Sequence, residues 1–167
     1  MQVLSFYITC LISSVLLKTI KVLVIKTDEE LEIANECFMP LSYGGNISCL
    51  DDAKQIFNIG FEKVVINSNS FINLNLISEI SNYFGAQSVV GSLDTRRSFL
   101  GNSKVYSHHG SVKQNYNAIS WAKKLEEAGV GELLITSIDR EGSWNGYDIE
   151  LIESISKTVQ VPVIANG

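Results

Sequence analysis

From about residue 26 onward, the sequence alternates amphipathic helices with short apolar strands. Strands are predicted at 39–43, 63–67, 87–94, 132–139 and 161–166. Helices are predicted between them at 28–38, 48–60, 73–85, 115–129 and 148–159, where apolar residues recur at helical spacing, and glycines 60, 85 and 129 mark three of their ends. Continuous apolar strands separated by helices are what a parallel sheet requires. We therefore predict an α/β fold.

The absence of a G-x-G-x-x-G sequence after the first strand distinguishes between two parallel architectures. It argues against a dinucleotide-binding sheet and favours a (β/α)8 barrel, the TIM-barrel fold. We predict a single domain over 1–167, with a first strand and a hairpin-like piece in 1–25 and βα units in 28–167. The first seventeen residues are apolar, but no Lys or Arg precedes them, so a buried strand at 6–12 is favoured over a signal peptide.

Composition excludes several classes of function. A formal charge of −5 provides no general attraction to nucleic acid or to anionic membranes. The three cysteines, at 10, 37 and 49, are odd in number and lack metal-ligand spacing, which predicts reduced thiols and a cytoplasmic location. His108 and His109 are adjacent, so in a strand they would point to opposite faces and could not share a metal ion. We predict no metal site.

Polar residues follow the carboxyl ends of the predicted strands. They are Gly44-Gly45-Asn46, Asn67-Ser68, Asp94, the segment 139–143, and Asn166-Gly167. In a barrel these ends share one face, where active sites are built. Each residue taken singly is also a common helix cap. Their joint occurrence favours one site, and glycine turns of this kind leave backbone N–H groups available to an anion such as phosphate.

Five separated motifs resemble the cyclase subunit of imidazole glycerol phosphate synthase. They are PLSYGGNI, KVVINSNS, GAQSVVGSLDTRR, GELLITSIDREGSWNGYDIELI and VPVIANG, in an order and spacing that cover residues 28–167. The resemblance implies a (β/α)8 barrel without a cofactor. It also implies a glutaminase partner in a heterodimer, whose ammonia reacts with a bisphosphorylated ribosyl-aminoimidazole substrate in histidine biosynthesis.

The resemblance implies roles for particular residues. Asp94 matches one of two catalytic aspartates. Gly44, Gly45, Asn67 and Ser68 match a first phosphate site, and Glu141, Gly142, Ser143 and Gly167 match a second. Lys63 and Glu132 match a charged ring that admits ammonia at the opposite end of the barrel, although charged residues at strand starts are also commonly just solvated.

The sequence departs from the family pattern in three places. Ile12 stands where the other catalytic aspartate is expected, and an aliphatic side chain cannot transfer a proton. The stretch 16–38 leaves no room for the second strand of the barrel, and the sequence ends after the seventh. We therefore expect an incomplete barrel that lacks strands two and eight. The alternatives to a cyclase are a non-catalytic ammonia conduit for amidation of surface sugars and an inactive truncated remnant.

Overall fold

The computed structural model describes residues 40–98 and 103–166. Two compact units divide the chain, Met1–Val65 and Ile66–Gly167, and each is described by itself. The predicted first strand, the hairpin-like piece, the helix at 28–38, Ile12 and Gly167 lie outside the described residues. The prediction of a single domain stays a prediction.

In the first unit, two parallel strands are joined by one helix. Strand β1 (Ser42–Gly44) pairs with β2 (Lys63–Ile66), and helix α1 (Leu50–Ile59) connects them. Gly44 lies opposite Val65, and a Cβ at Gly44 would come within 3.2 Å of the Val65 Cβ. A glycine at the end of β1 therefore permits close packing of the two strands.

Helix α1 begins where the acidic residues of the sequence predict. The Asp52 carboxylate accepts hydrogen bonds from the backbone N–H of Ser48 at 2.8 Å, from its hydroxyl at 2.8 Å, and from the Cys49 N–H at 3.2 Å. The backbone hydrogen bond from Ser48 is the largest cause that lowers the Asp52 pKa. Residue 52 thus satisfies donors that the helix itself leaves without partners.

The second unit contains the remaining described elements. They are α2 (Ser68–Ile72), α3 (Asn75–Phe84), a 3-10 turn (Ala86–Ser88), β3 (Val89–Arg97), β4 (Ser103–Ser107), β5 (Val112–Asn117), α4 (Ala118–Ala128), β6 (Glu132–Ser137), α5 (Ile149–Ser156) and β7 (Val163–Asn166). Helices α1, α3 and α4 end at the glycines that the sequence predicted. Gly60 and Gly129 are left-handed C-caps, and Gly85 also has positive φ.

Strands β3, β6 and β7 form a parallel ladder, with β6 between the other two. Strands β4 and β5 form an antiparallel hairpin, and β4 pairs with residues Asp94 to Arg97 of β3. The parallel ladder with intervening helices confirms the α/β prediction and is consistent with a TIM-barrel-type fold. The expected loss of strands two and eight stays a prediction.

The hairpin and α2 are elements that the sequence did not predict. Strand β5 reads VKQNYN and is largely exposed, so it lacks the apolar pattern by which the other strands were recognised. Helix α2 has five residues, too few to show a helical period. Helix α2 lies between predicted elements, whereas β5 occupies 115–117, where the helix at 115–129 was predicted to begin; that helix starts at Ala118 instead.

The core of the second unit lies between the sheet and helices α3, α4 and α5. Fully buried side chains include Ile77, Ile80, Leu93, Leu125, Leu133, Ile135 and Ile155. Phe71 of α2 stacks on Trp121 of α4 with 4.3 Å between ring centroids. This contact holds α2 against α4 and so fixes the start of α2. Among the described residues, no helix is long and apolar enough to cross a membrane.

Replacing Asp52 with alanine should lower the free energy of unfolding by about 0.5–2 kcal/mol, because three donors at the start of α1 lose their acceptor. The matched control is Asp51→Ala, which removes only an exposed pair with Lys54 worth less than about 1 kcal/mol.

Since the Asp52 pKa is lowered in the native state, its contribution should disappear as the pH falls and the carboxylate is protonated. Urea unfolding of both variants measures the difference, and equal effects would contradict the role of Asp52.

Candidate functional site

The parallel register brings polar residues of three strands into one row. Asp94 of β3 lies opposite Thr136 of β6, and Thr136 lies opposite Asn166 of β7. The Asn166 amide nitrogen donates to the Thr136 hydroxyl at 3.3 Å. The carboxyl ends of these three strands therefore meet at one edge, as ligand-binding sites in parallel sheets require.

Asp94 is half-buried, and its pKa is raised to about 6. Burial is the main cause, because removal from water disfavours the charged carboxylate. A hydrogen bond from the Asn67 side chain lowers the pKa, the charge of Glu141 raises it, and His109 lowers it. A carboxyl group that titrates near neutral pH is suited to both donating and accepting protons.

Asn67 lies beside Asp94, and Ser68 follows Asn67 at the start of α2. The Asn67 side chain donates to Asp94, whereas its own oxygen Oδ1 is buried and has no hydrogen-bond partner among the described residues. The Ser68 hydroxyl oxygen accepts a 3.0 Å hydrogen bond from the His108 backbone N–H. Asn67 thus offers a buried acceptor at the site, which is a common position for a ligand contact.

The turn of the β4–β5 hairpin also reaches this site. His108, His109 and Gly110 all have positive φ, at 51°, 58° and 77°, so the two histidines lie in a turn and not in a strand. The His108 ring nitrogen Nδ1 is 2.9 Å from the Ser107 hydroxyl, and His109 acts electrostatically on Asp94. The sequence assigned no chemistry to either histidine. The sequence feature that could have indicated this turn is His108-His109-Gly110, because glycine favours tight turns.

The loop after β6 carries the residues predicted for the second phosphate site. The Glu141 N–H donates to the Ser137 carbonyl at 2.9 Å, and the Ser143 hydroxyl donates to the Arg140 carbonyl at 2.7 Å. Gly142 has φ +70°, and a Cβ added there would meet nothing within 4 Å. The loop is therefore held by its own backbone and presents an open glycine. Of the three residues predicted in this loop, Glu141 acts on Asp94, because its charge raises the Asp94 pKa.

The two arginines after Asp94 have other carboxylate partners. Arg96 Nε lies 3.1 Å from Asp139 Oδ1, and Arg97 Nη2 lies 3.0 Å from Asp148 Oδ1 and also contacts Glu150. A cavity of about 560 Å³ adjoins Arg97 between the starts of α4 and α5. None of the residues that line it belongs to the predicted site.

Some predicted residues are not brought together with Asp94 by the described contacts. Gly44, Gly45 and Lys63 belong to the first unit, and their place in a phosphate site or an ammonia gate stays a prediction. Glu132 begins β6 opposite Val90, so it lies at the other end of the strand from Thr136. The role of Glu132 in an ammonia gate stays a prediction.

Asp94→Asn should raise the free energy of unfolding by about 1–2 kcal/mol near pH 8, because an amide avoids the cost of burying a charge. The native state holds the Asp94 proton more tightly than the unfolded chain does, so stability falls as the pH rises from the ordinary 3.8 through about 6. Urea unfolding at several pH values tests this, and the difference should shrink toward pH 4. Asp139→Asn, which weakens the pair with Arg96, should give no such gain.

Comparison with known proteins extends these observations. The model of the family described as histidine biosynthesis protein matches residues 24–167. The hisF2 protein of Pseudomonas aeruginosa is 49% identical over 81% of this chain and 54% of its own length. The imidazole glycerol phosphate synthase subunit HisF of Sulfolobus acidocaldarius is 44% identical over 81% of this chain and 54% of its own length. The HisF subunit of Alkaliphilus metalliredigens is 40% identical over 80% of this chain and 53% of its own length.

The chain spans about half the length of the curated relatives it matches. The family model nevertheless covers most of the present sequence, including every described residue of the candidate site. The chain belongs to the histidine biosynthesis protein family.

Proposed function

We propose that this chain carries the substrate site of a cyclase subunit of imidazole glycerol phosphate synthase. On this proposal, ammonia from a glutaminase partner reacts with a bisphosphorylated ribosyl-aminoimidazole carboxamide, and the ring closes to imidazole glycerol phosphate. The observation that carries the proposal is the half-buried Asp94 carboxyl group near the end of the part of β3 that pairs with β6, with its pKa raised to about 6. Membership of the family supports the same reaction class.

The environment of Asp94 supports a role in proton transfer. Ring closure with loss of a leaving group needs a group that gives a proton at one atom and a group that takes one at another. Burial keeps a fraction of Asp94 protonated at neutral pH, and the Glu141 charge acts in the same direction. The hydrogen bond from Asn67 stabilises the carboxylate that forms when Asp94 releases its proton.

The flanking turns support binding of the two phosphate groups. Ser68 follows β2, and the loop with Glu141, Gly142 and Ser143 follows β6. Small residues at such positions allow phosphate oxygens to approach the backbone closely. Gly44, Gly45 and Gly167 complete the two phosphate sites in this proposal. Because the chain has a formal charge of −5, anion binding must come from such local N–H and hydroxyl donors.

The glutaminase partner would bind at the opposite end of the strands. Glu132 lies at the start of β6, and Lys63 lies at the start of β2, each in its own unit. In the proposal these charged groups, each at the start of its strand, admit ammonia.

Asp94→Asn should reduce ammonia-dependent ring closure by about 10²–10⁴-fold, because the amide cannot exchange the proton. The assay follows imidazole glycerol phosphate formed from the bisphosphorylated substrate with ammonium supplied directly. Glu79→Gln, which removes an exposed carboxylate on α3, is the matched control and should retain full activity. Absence of turnover in the unaltered chain would contradict the proposal and favour the ammonia-conduit alternative.

Inorganic phosphate at millimolar concentration should raise the melting temperature of the chain, because it binds the native turns and not the unfolded state. Asn67→Ala should reduce this increase, since Asn67 offers its buried Oδ1 to a bound group. Asn75→Ala at the exposed start of α3 is the control and should leave the increase unchanged. An unchanged melting temperature in phosphate would contradict the phosphate sites.

A further inference from the structure

We propose that His109 is the proton-exchange partner of Asp94 and supplies the second acid–base group of this site. The inference rests on the proposed function for its role in a reaction, but the placement of the His109 turn beside Asp94 stands on the contacts of the hairpin. The resemblance leads us to expect another catalytic aspartate where the sequence has Ile12, a position outside the described residues.

Three contacts place the tip of the hairpin over the site. Asp94 is paired with Tyr106 of β4, so the chain reaches His109 three residues beyond the partner of Asp94. The His108 N–H donates to Ser68 at 3.0 Å, which fastens the tip beside Asn67. A Cβ at Gly110 would come within 2.9 Å of Ile138 Cδ1, so the tip also packs against the residue that follows β6.

These contacts fix the turn on both sides of Asp94. One side is the Asn67–Ser68 turn, and the other is the start of the loop that carries Glu141. His109 is exposed at the tip, and its ring is therefore accessible to a ligand and to solvent. The His108 ring is instead engaged by Ser107, whose hydroxyl also accepts from Gln114 Nε2 at 2.7 Å. The two adjacent histidines thus have different environments.

The charged and titratable groups that act on Asp94 are Glu141 and His109, and Asn67 is its hydrogen-bonding neighbour. Glu141 and His109 act in opposite directions, because a like charge disfavours the carboxylate and an imidazolium favours it. Imidazole can accept a proton at one ring nitrogen and release it again, so it can exchange a proton with a carboxyl group.

The proposed exchange balances protons. Neutral His109 takes one proton from the attacking ammonia nitrogen as its bond to substrate carbon forms, and becomes imidazolium. Protonated Asp94 gives its proton to the departing group as that bond breaks, and becomes a carboxylate. A proton then passes from the imidazolium to the carboxylate, directly or through water, and restores both neutral groups. Neither an oxidant nor a metal ion is required.

The pairing is tested by following the Asp94 carboxyl carbon by NMR as the pH is changed. The unaltered chain should titrate at about 6. His109→Gln should raise the Asp94 pKa, because a charge that favours the carboxylate is lost. Glu141→Gln should lower the Asp94 pKa, and His108→Gln should leave it unchanged. Backbone amide spectra report whether each variant remains folded.

An unchanged Asp94 pKa in a folded His109→Gln variant would overturn the pairing, as would an equal response to His108→Gln. In the ring-closure assay, His109→Gln should lower kcat by about 10²–10⁴-fold with KM little changed. Lys113→Gln on β5 is the activity control. Full kcat in His109→Gln would overturn the catalytic role of His109. Absence of turnover in the unaltered chain would contradict the proposed function, and the titration would then decide the pairing.

Discussion

The parallel pairing of β3, β6 and β7 is the constraint on which the candidate site depends. Parallel strands hydrogen-bonded in register must end at the same edge, so one ladder aligns Asp94, Thr136 and Asn166 although more than seventy residues lie between the first and the last. A shift of register by one residue would turn each of these side chains to the other face of the sheet. The buried apolar residues of β3 and β6 oppose such a shift.

The packing that maintains the ladder also sets the chemistry at its edge. Val89, Leu93, Leu133 and Ile135 are buried by the helices, and Asp94 follows directly on this apolar run. Its carboxyl group is therefore only partly hydrated, which raises its pKa. The stability lost by burying an ionisable group is offset by the apolar contacts around it, a relation typical of functional sites.

The antiparallel hairpin of β4 and β5 extends the parallel ladder and carries two histidines in its turn. It extends from the same residues of β3 that include Asp94, and its turn is held between Ser68 and Ile138. This arrangement brings two histidines to a part of the molecule otherwise lined by carboxylate, amide and hydroxyl groups. The geometry of the turn depends on Gly110, where positive φ and the proximity of Ile138 disfavour a side chain.

The sequence by itself determined the α/β class, the order of the long elements, the glycine-terminated helices, and the position of Asp94, Asn67 and Ser68 at strand ends. These features are local or periodic, so burial patterns and cap residues reveal them. Whether Gly44, Gly45, Lys63 and Glu132 act as predicted depends on geometry between the two units and stays a prediction.

Only the tertiary structure decided which polar residues meet. The environment of Asp94 arises from Asn67, His109 and Glu141, which are distant from one another in sequence and have no common motif. His108 and His109 belong to none of the elements predicted from the sequence, and the pairing of β4 with β3 and the contact with Ser68 place them in a turn. Contacts between distant residues are set by packing and register, and neither is encoded in a short stretch of sequence.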